Sequence, residues 1–447
     1  MHGVRLLALA ALAPMVLAAG CTCGAKSSGA PSALASASGS AARAADSART
    51  GAPGTAPLSL AGFSVPIGAA RAAGVDVVAG LVATDGVIRV VGVTDGKPAW
   101  AVDALEGVSW SRESELSLRP GPDGGVALVW RGMRAGKLGR ALLLIGPRGE
   151  LRGEPTEVDA AFCATLDGVA WIAPSGASRV MTRTWSAPSG RSVLTVGSDR
   201  DPALACGDHA VVALGDGDND LTAASFIPGT PVQGPTVVIR DADFGEDDER
   251  DHYAYTIGDD LGLVRIADSG AVALRELPRG GTPTPWRKLK QVIPPDDNVV
   301  AVDGDASATL VVSSRGSDEG CPGVGSSAES VHALRVDRKT GAESLLDLAP
   351  ADCDRSPGPF WIAAAPRGPT IAWVERATKL ATNAAPIVGV STRTLAADGT
   401  TPRRIDLQAD AVKDGGCDDH GCSLAALLRS ADSDGMQPGT IQVIAYP

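Results

Sequence analysis

From residue 58 onward the chain is a series of short apolar runs in which hydrophobic and polar positions alternate, separated by clusters of Gly, Pro and Asp. Period-two alternation predicts strands with one face buried, and the Gly- and Asp-rich breaks predict hairpin turns. No amphipathic stretch of helical length interrupts the series. One β-rich run recurs: VIRVVGV (87–93), VALVW (126–130), VAWIA (169–173), AVVAL (210–214), LGLVRIA (261–267), ATLVVS (308–313), TIAWVE (370–375) and SLAALL (423–428). Their starts lie 48 residues apart on average, a spacing that fits four antiparallel strands and their turns, one blade of a β-propeller. The seventh period illustrates the filling: PFWIAAA (359–365), TIAWVE, IVGVSTRTL (387–395), a turn at Ala397-Asp398-Gly399, then RRIDL (403–407). The expected fold is therefore all-β, a single β-propeller over residues 58–447 with eight blades, seven being the next count. LSLAGFSVPI (58–67) and TIQVIAY (440–446) stand at the two ends of the series, so the ring is expected to close by pairing across the termini. Two smaller β domains or a pair of β-sandwiches are the alternatives, and the absence of a second linker argues against both.

The N-terminal pattern differs. Arg5 precedes an apolar run from Leu6 to Ala19, too short to span a bilayer comfortably and of the length of a secretory signal core. The run ends Leu17-Ala18-Ala19-Gly20-Cys21, which resembles the lipobox of bacterial lipoproteins, with Leu one place early. That resemblance implies cleavage after Gly20, a lipid on Cys21 and membrane attachment through that lipid. Thr22 stands where an Asp would retain such a protein at the inner membrane, so the outer membrane is expected, on its periplasmic or surface face. Residues 24–57 are 24 of 34 Ala, Ser or Gly, the composition of a flexible tether with a span of about 30 Å. The domain reading is thus 1–20 export signal, 21–57 lipidated Cys and linker, and 58–447 propeller.

Charge narrows the partners. With 40 Lys+Arg against 52 Asp+Glu the formal net charge is -12, which argues against nucleic acid, since phosphate binding needs a cationic surface. Only 4% of residues are aromatic, which counts against a sugar groove built on stacking platforms.

Cys21 is assigned to the lipid and Cys23 falls in the linker. The six others, Cys163, Cys206, Cys321, Cys353, Cys417 and Cys422, suggest disulfides in an exported chain. Cys163 and Cys206 precede recurring runs and would sit on the inner strands of neighbouring blades. Cys321 and Cys353 flank one long insertion, and Cys417 and Cys422 could staple a single loop. The latter pair, around Asp418-Asp419-His420, also offers metal-binding side chains but lacks a second Cys pair or a second nearby His.

Asp216, Asp218 and Asp220 alternate along a Gly-containing loop and resemble the start of a Ca²⁺-binding loop. Leu221 stands where Gly is expected, however, and a polar turn is the commoner reading. Residues 241–251 hold seven acids and one base, a cluster suited to solvent, Ca²⁺ or a basic partner. Trp286-Arg287-Lys288-Leu289-Lys290 is the main basic cluster, and Tyr253 and Tyr255 beside His252 read as blade packing. No His-Glu-x-x-His, Gly-x-Ser-x-Gly or Walker loop occurs, so no catalytic residue is assigned. The leading expectation is a lipid-anchored envelope propeller acting as a non-enzymatic protein-binding scaffold. The alternatives are a propeller hydrolase or lyase with a carboxylate-based axial site, and a Ca²⁺-dependent structural or adhesion module.

Overall fold

The computed structural model describes residues 6–8 and 58–446, apart from 159–160, 174–178, 188, 196–202, 217–219, 231–232, 241–249, 280, 322–326, 366–367, 379–385, 397–398, 419–420 and 429–437. The strands form a β-propeller of successive antiparallel meanders. Six separate sheets of four or five strands, blades I to VI, cover residues 108–157, 162–195, 203–240, 250–292, 298–352 and 355–409. The remaining strands make one seven-stranded sheet. Expected counts of eight or seven blades are corrected by this strand order: six blades stand separately, and the other strands are joined into one sheet.

The join is made by Leu58–Ala72, a strand of 15 residues. Its first half pairs with Gly439–Tyr446, from Leu58 opposite Val443 to Phe63 opposite Gly439. Its second half pairs with Val75–Val82, from Ile67 opposite Gly80 to Ala72 opposite Val75. The two chain ends are thus hydrogen-bonded into the same sheet, which removes the free edges an open ring would expose. The inner strands of blades I to VI touch in order, and the ring is completed through Ala411–Asp418 and Leu58–Ala72. Blade IV also carries Leu6–Ala8 as a parallel strand beside His252–Ala254, within the stretch whose sequence reads as an export signal.

Turn chemistry fits the meander. Between Val87–Thr94 and Lys97–Glu106 the turn is Asp95-Gly96, with φ of 51° and 69°. Two successive positive φ values match the right-handed twist of the strands, and Asp followed by Gly tolerates them. Burial follows from alternation. In Val126–Arg134 the second-strand run VALVW is buried throughout, because both faces of a strand in the middle of its sheet meet neighbouring sheets. Trp130 and Trp171 are among the largest fully buried side chains, and Tyr253 and Tyr255 pack in the core between blades IV and V.

Three disulfides are present. Cys163–Cys206 joins the inner strands of blades II and III, Cys321–Cys353 links the end of a blade V hairpin to the start of blade VI, and Cys417–Cys422 staples one hairpin. Cys21, Cys23, the linker, Asp218, His420 and residues 241–249 lie outside the described residues.

Candidate functional site

Blade VI builds its site by strand alternation. In Gly368–Ala377, Ile371, Trp373 and Glu375 point to one face, toward blade V. Ile371 and Trp373 join an apolar cluster with Leu310, Val331 and Leu348 of blade V. Two residues further out, the same face turns polar. Ser391 lies opposite Trp373 in the next strand, and Arg404 lies opposite Ser391 in the one after. Between Glu375 and Asp406 the middle strand carries Gly389. A Cβ there would sit 3.0 Å from the Ile405 carbonyl and 3.1 Å from an Arg404 guanidinium nitrogen. The missing side chain lets Arg404 reach diagonally to Glu375.

Glu375 is 8% exposed and is held from three sides. Arg404 Nε donates to Oε2 at 2.7 Å, an Arg355 Nη donates to the same oxygen at 3.4 Å, and Ser391 Oγ donates to Oε1. Arg393 lies over Trp373, 5.6 Å from the ring centroid. Its Nε donates to the Leu348 carbonyl at 3.0 Å and its Nη to that of Thr392 at 3.3 Å. Burial lowers the pKa of the Arg393 guanidinium, against the opposing charge of Glu375. Above these groups is a cavity of about 460 Å³ between blades V and VI. Arg403, Glu329, Asp352 and three prolines, Pro350, Pro357 and Pro402, complete its walls. Burial raises the Glu329 carboxyl above the usual range. Cys353, in its disulfide with Cys321, fixes the rim between Asp352 and Arg355. By contrast, the crevice between Val212 and Leu277 holds only about 10 Å³, too little for a ligand.

A second charged arrangement lies on the inner strands. Asp414 accepts from Tyr446 Oη at 2.9 Å and from the Gly416 backbone N–H at 3.0 Å, and Trp361 Nε1 donates to Tyr446 Oη at 3.2 Å. Burial pushes the Asp414 carboxyl up to about 6, with Arg119 opposing the shift. Enclosure lowers Lys413, with Glu115 opposing and Arg119 reinforcing the shift. On the inner strand of blade V, burial pushes Asp303 up to about 7.

Among the described residues, Ser313, Asp297 and His332 come together without forming a Ser–His–acid relay. Ser313 Oγ donates to Asp297 Oδ2 at 2.7 Å and His332 Nδ1 lies 2.9 Å from the same oxygen. The carboxylate therefore stands between serine and imidazole, whereas activation requires the imidazole to take the serine proton.

The sequence-predicted metal residues are only partly placed. Asp216 ends one strand of blade III and Asp220 begins the next, and Asp218 lies outside the described residues. Among the described residues no group of three or more His, Cys, Asp or Glu is arranged to hold a metal. Of the basic cluster, Trp286 Nε1 donates to the Arg240 carbonyl at 2.8 Å and Arg275 lies over its ring. The following outer strand, Arg287–Val292, is mostly exposed. Sequence reasoning missed the cleft. Its signal was present as charged residues inside strands, Glu375 closing TIAWVE and Arg403-Arg404 opening RRIDL.

No family model and no curated protein matches the chain. Among solved structures, a prolyl endopeptidase is similar in fold at a TM-score of 0.48 and 13% identity, over 85% of this chain and 54% of that one. The acylaminoacyl peptidase of Pyrococcus horikoshii gives 0.44 and 10%, over 75% and 53%. An oligogalacturonate lyase in complex with manganese gives 0.43 and 11%, over 72% and 86%. The chain spans about half the length of the two peptidases. At these scores and identities the resemblances carry nothing about the site.

Proposed function

We propose that this protein is a non-enzymatic binding scaffold of the bacterial cell envelope, anchored through a lipid on Cys21, most simply in the outer membrane, with a partner protein held by the propeller. The supporting observation is the cleft between blades V and VI. It is large enough to receive a segment of another chain, it is lined by convergent polar side chains, and its central carboxylate, Glu375, is already engaged by Arg404, Arg355 and Ser391. A carboxylate held by three donors positions its neighbours and is poorly placed to remove a proton from a substrate. The tether of Ala, Ser and Gly suits a domain carried clear of a membrane.

Cross-linked capture from the native envelope tests this reading, comparing the wild-type chain with Arg355→Ala/Arg404→Ala. A partner recovered with the wild type and lost with the double variant supports the cleft as its seat; equal recovery overturns that seat. Cys21→Ser is expected to release the protein from the membrane fraction, and its retention there overturns the lipid anchor.

A propeller hydrolase or lyase with an axial carboxylate is the second reading, favoured by Asp414 with Tyr446, Arg119 and Lys413. Turnover of peptide or polysaccharide substrates that disappears in Asp414→Asn would support it. Turnover unchanged by that substitution would remove it.

A further inference from the structure

We propose that a recess among the inner strands, at the propeller axis, binds a small carboxylate between Arg119 of blade I and Lys413 of the strand Ala411–Asp418. This site goes beyond the scaffold reading and does not involve the blade V–blade VI cleft. Both strands touch Leu58–Ala72, the strand that closes the ring. In Glu115–Pro120, alternation turns Leu116 and Leu118 into the apolar cluster of that contact and leaves Arg119 on the other face. In Ala411–Asp418, Val412 is buried and Lys413 beside it is exposed.

The charges there act on one another. Burial lowers Arg119, with Asp414 opposing the shift, and burial lowers Lys413, with Glu115 opposing and Arg119 reinforcing it. Yet neither cation makes a salt bridge or a side-chain hydrogen bond among the described residues. Acids are not scarce, at 52 Asp+Glu against 40 Lys+Arg. Arg71, at the end of the ring-closing strand, takes two of them, Asp76 at 2.6 Å and Asp418 at 2.9 Å. Water reaches the unpaired cations, since Lys413 is exposed and Arg119 half-buried. A cation that is enclosed and unpaired is poorly solvated, so an anion that reaches it gains more than at an open surface. What selects the anion is these two cations that no acid touches, whatever the net charge of the region.

The neighbouring acids decide which anion. Asp414 receives both of its hydrogen bonds, from Tyr446 Oη and the Gly416 N–H, on Oδ1. Its Oδ2 accepts none and is not sealed from solvent. Above about pH 6 this carboxyl is ionised, so a ligand with one negative charge balances the two cations and a dianion would oppose Asp414. Glu115 is half-exposed and lies 3.7 Å from Arg131, which Glu113 also approaches at 3.6 Å, so water screens its pull on Lys413. The guanidinium fork of Arg119 matches the two oxygens of a carboxylate, and the Lys413 ammonium adds a point charge.

Carbon-13 NMR titration of labelled lactate and labelled acetate into the full chain provides the test, with neutral lactamide and inorganic phosphate as comparisons. Lactate and acetate are expected to bind, lactamide to bind about tenfold or more weakly than lactate, and phosphate to bind more weakly than lactate. Arg119→Met and Lys413→Met are each expected to weaken lactate about tenfold, with Arg119→Lys, which keeps the charge and loses the fork, in between. Arg287→Ala and Lys290→Ala, on the exposed outer strand of blade IV, change the net charge equally and are expected to leave the affinity within about twofold. Urea midpoints separate binding from folding. Each Met variant is expected to unfold no earlier than wild type, because it removes an enclosed charge that has no partner. Lactate, against sodium chloride of equal ionic strength, is expected to raise the midpoint of wild type and not of the Met variants.

Failure of both carboxylates to bind overturns the proposal. So does lactamide binding as tightly as lactate, phosphate binding more tightly, or a loss on blade IV equal to that at the axis. A lowered urea midpoint in both Met variants also overturns it, since the two cations would then serve the fold. Envelope capture through Arg355 and Arg404 reads the scaffold alone, so the failure of either reading leaves the other standing.

Discussion

Two blade interfaces in this ring solve the same packing problem differently. Where the seven-stranded sheet meets blade I, the buried cluster is made of apolar side chains: Val77, Ala79, Leu81, Ile88 and Val90 pack with Leu116, Leu118, Leu128, Trp130 and Leu143. Where blade V meets blade VI, the inner part is just as apolar, with Val331, Ala333 and Leu348 against Ile371 and Trp373. The outer part is handed to Glu375, Ser391, Arg393 and Arg404. The first interface gains from removing hydrocarbon from water. The second gives up part of that gain, and a cavity remains. Charge also crosses between blades IV and V, where Arg338 pairs with Glu276 at 3.0 Å; the blade V–blade VI interface differs in gathering its charges around a cavity.

The largest test breaks the dry interface. Trp130 is 1% exposed within the blade I cluster, and Trp130→Ala is expected to cost about 3–5 kcal/mol, read as a fall in the urea midpoint. A loss below about 1 kcal/mol would mean that this interface collapses around the cavity and is not close-packed. Next comes the covalent rim of the wet interface. Cys321 and Cys353 close a loop with a sequence separation of 32, and replacing both with Ser is expected to cost about 3–4 kcal/mol by loop-closure entropy. The shorter Cys417–Cys422 link, with a separation of 5, should cost about 2 kcal/mol by the same reasoning. If the two losses come out reversed, the rim is held by its hydrogen bonds more than by its disulfide. Third, Glu375→Gln keeps the shape of the side chain but removes the charge facing Arg404 and Arg355. It is expected to cost about 1–3 kcal/mol, a smaller loss than at Trp130 because the cleft admits water to the freed guanidinium groups. A Glu375 loss equal to that of Trp130 would erase the distinction between the two interfaces.

The strands were legible because alternation and turn residues are local. Seven of the recurring runs are the second strands of their sheets, as in Gly168–Ile172 and Gly421–Leu428. The first, VIRVVGV, falls instead in the third position, after Val75–Val82. Both strands are apolar on both faces, so periodicity could not rank them. How the sheets divide was not legible either. Nothing in LSLAGFSVPIGAARA says that one strand will serve both chain ends, because its two halves find partners far apart in sequence, at Gly439–Val443 and at Val75–Gly80. The cleft was hidden for a related reason. An Arg in RRIDL looks like any solvated outer-strand residue until Glu375, from two strands away, is set beside it, and the contact needs the empty position at Gly389. Alternation reports which face a residue occupies and is silent about what lies across from it.

The smallest effect sharpens the contrast between the cleft and the axis. Asp414 is held by Tyr446 and the Gly416 N–H, and burial pushes its carboxyl up to about 6. An aspartate in the unfolded chain ionises near pH ~3.9. Between about pH 4 and 6 the folded protein therefore keeps a proton that the unfolded chain has released, so this group lowers stability as pH rises through that window, and its full cost is present above about pH 6. Asp414→Asn keeps an oxygen for Tyr446 and the Gly416 N–H but carries no charge to bury. Relative to wild type it is expected to gain about 1 kcal/mol on going from pH 4 to pH 7, after allowance for solvent around a half-buried group. Asp303, pushed up to about 7 on the blade V inner strand, changes stability in the same direction but is present in both proteins, so it cancels in the difference. Urea midpoints of the two proteins at both pH values read the effect. A difference that stays constant with pH would show that Asp414 is ionised at no cost, through Arg119 and Lys413, and the axial carboxylate would then be as fully neutralised as Glu375 is in the cleft.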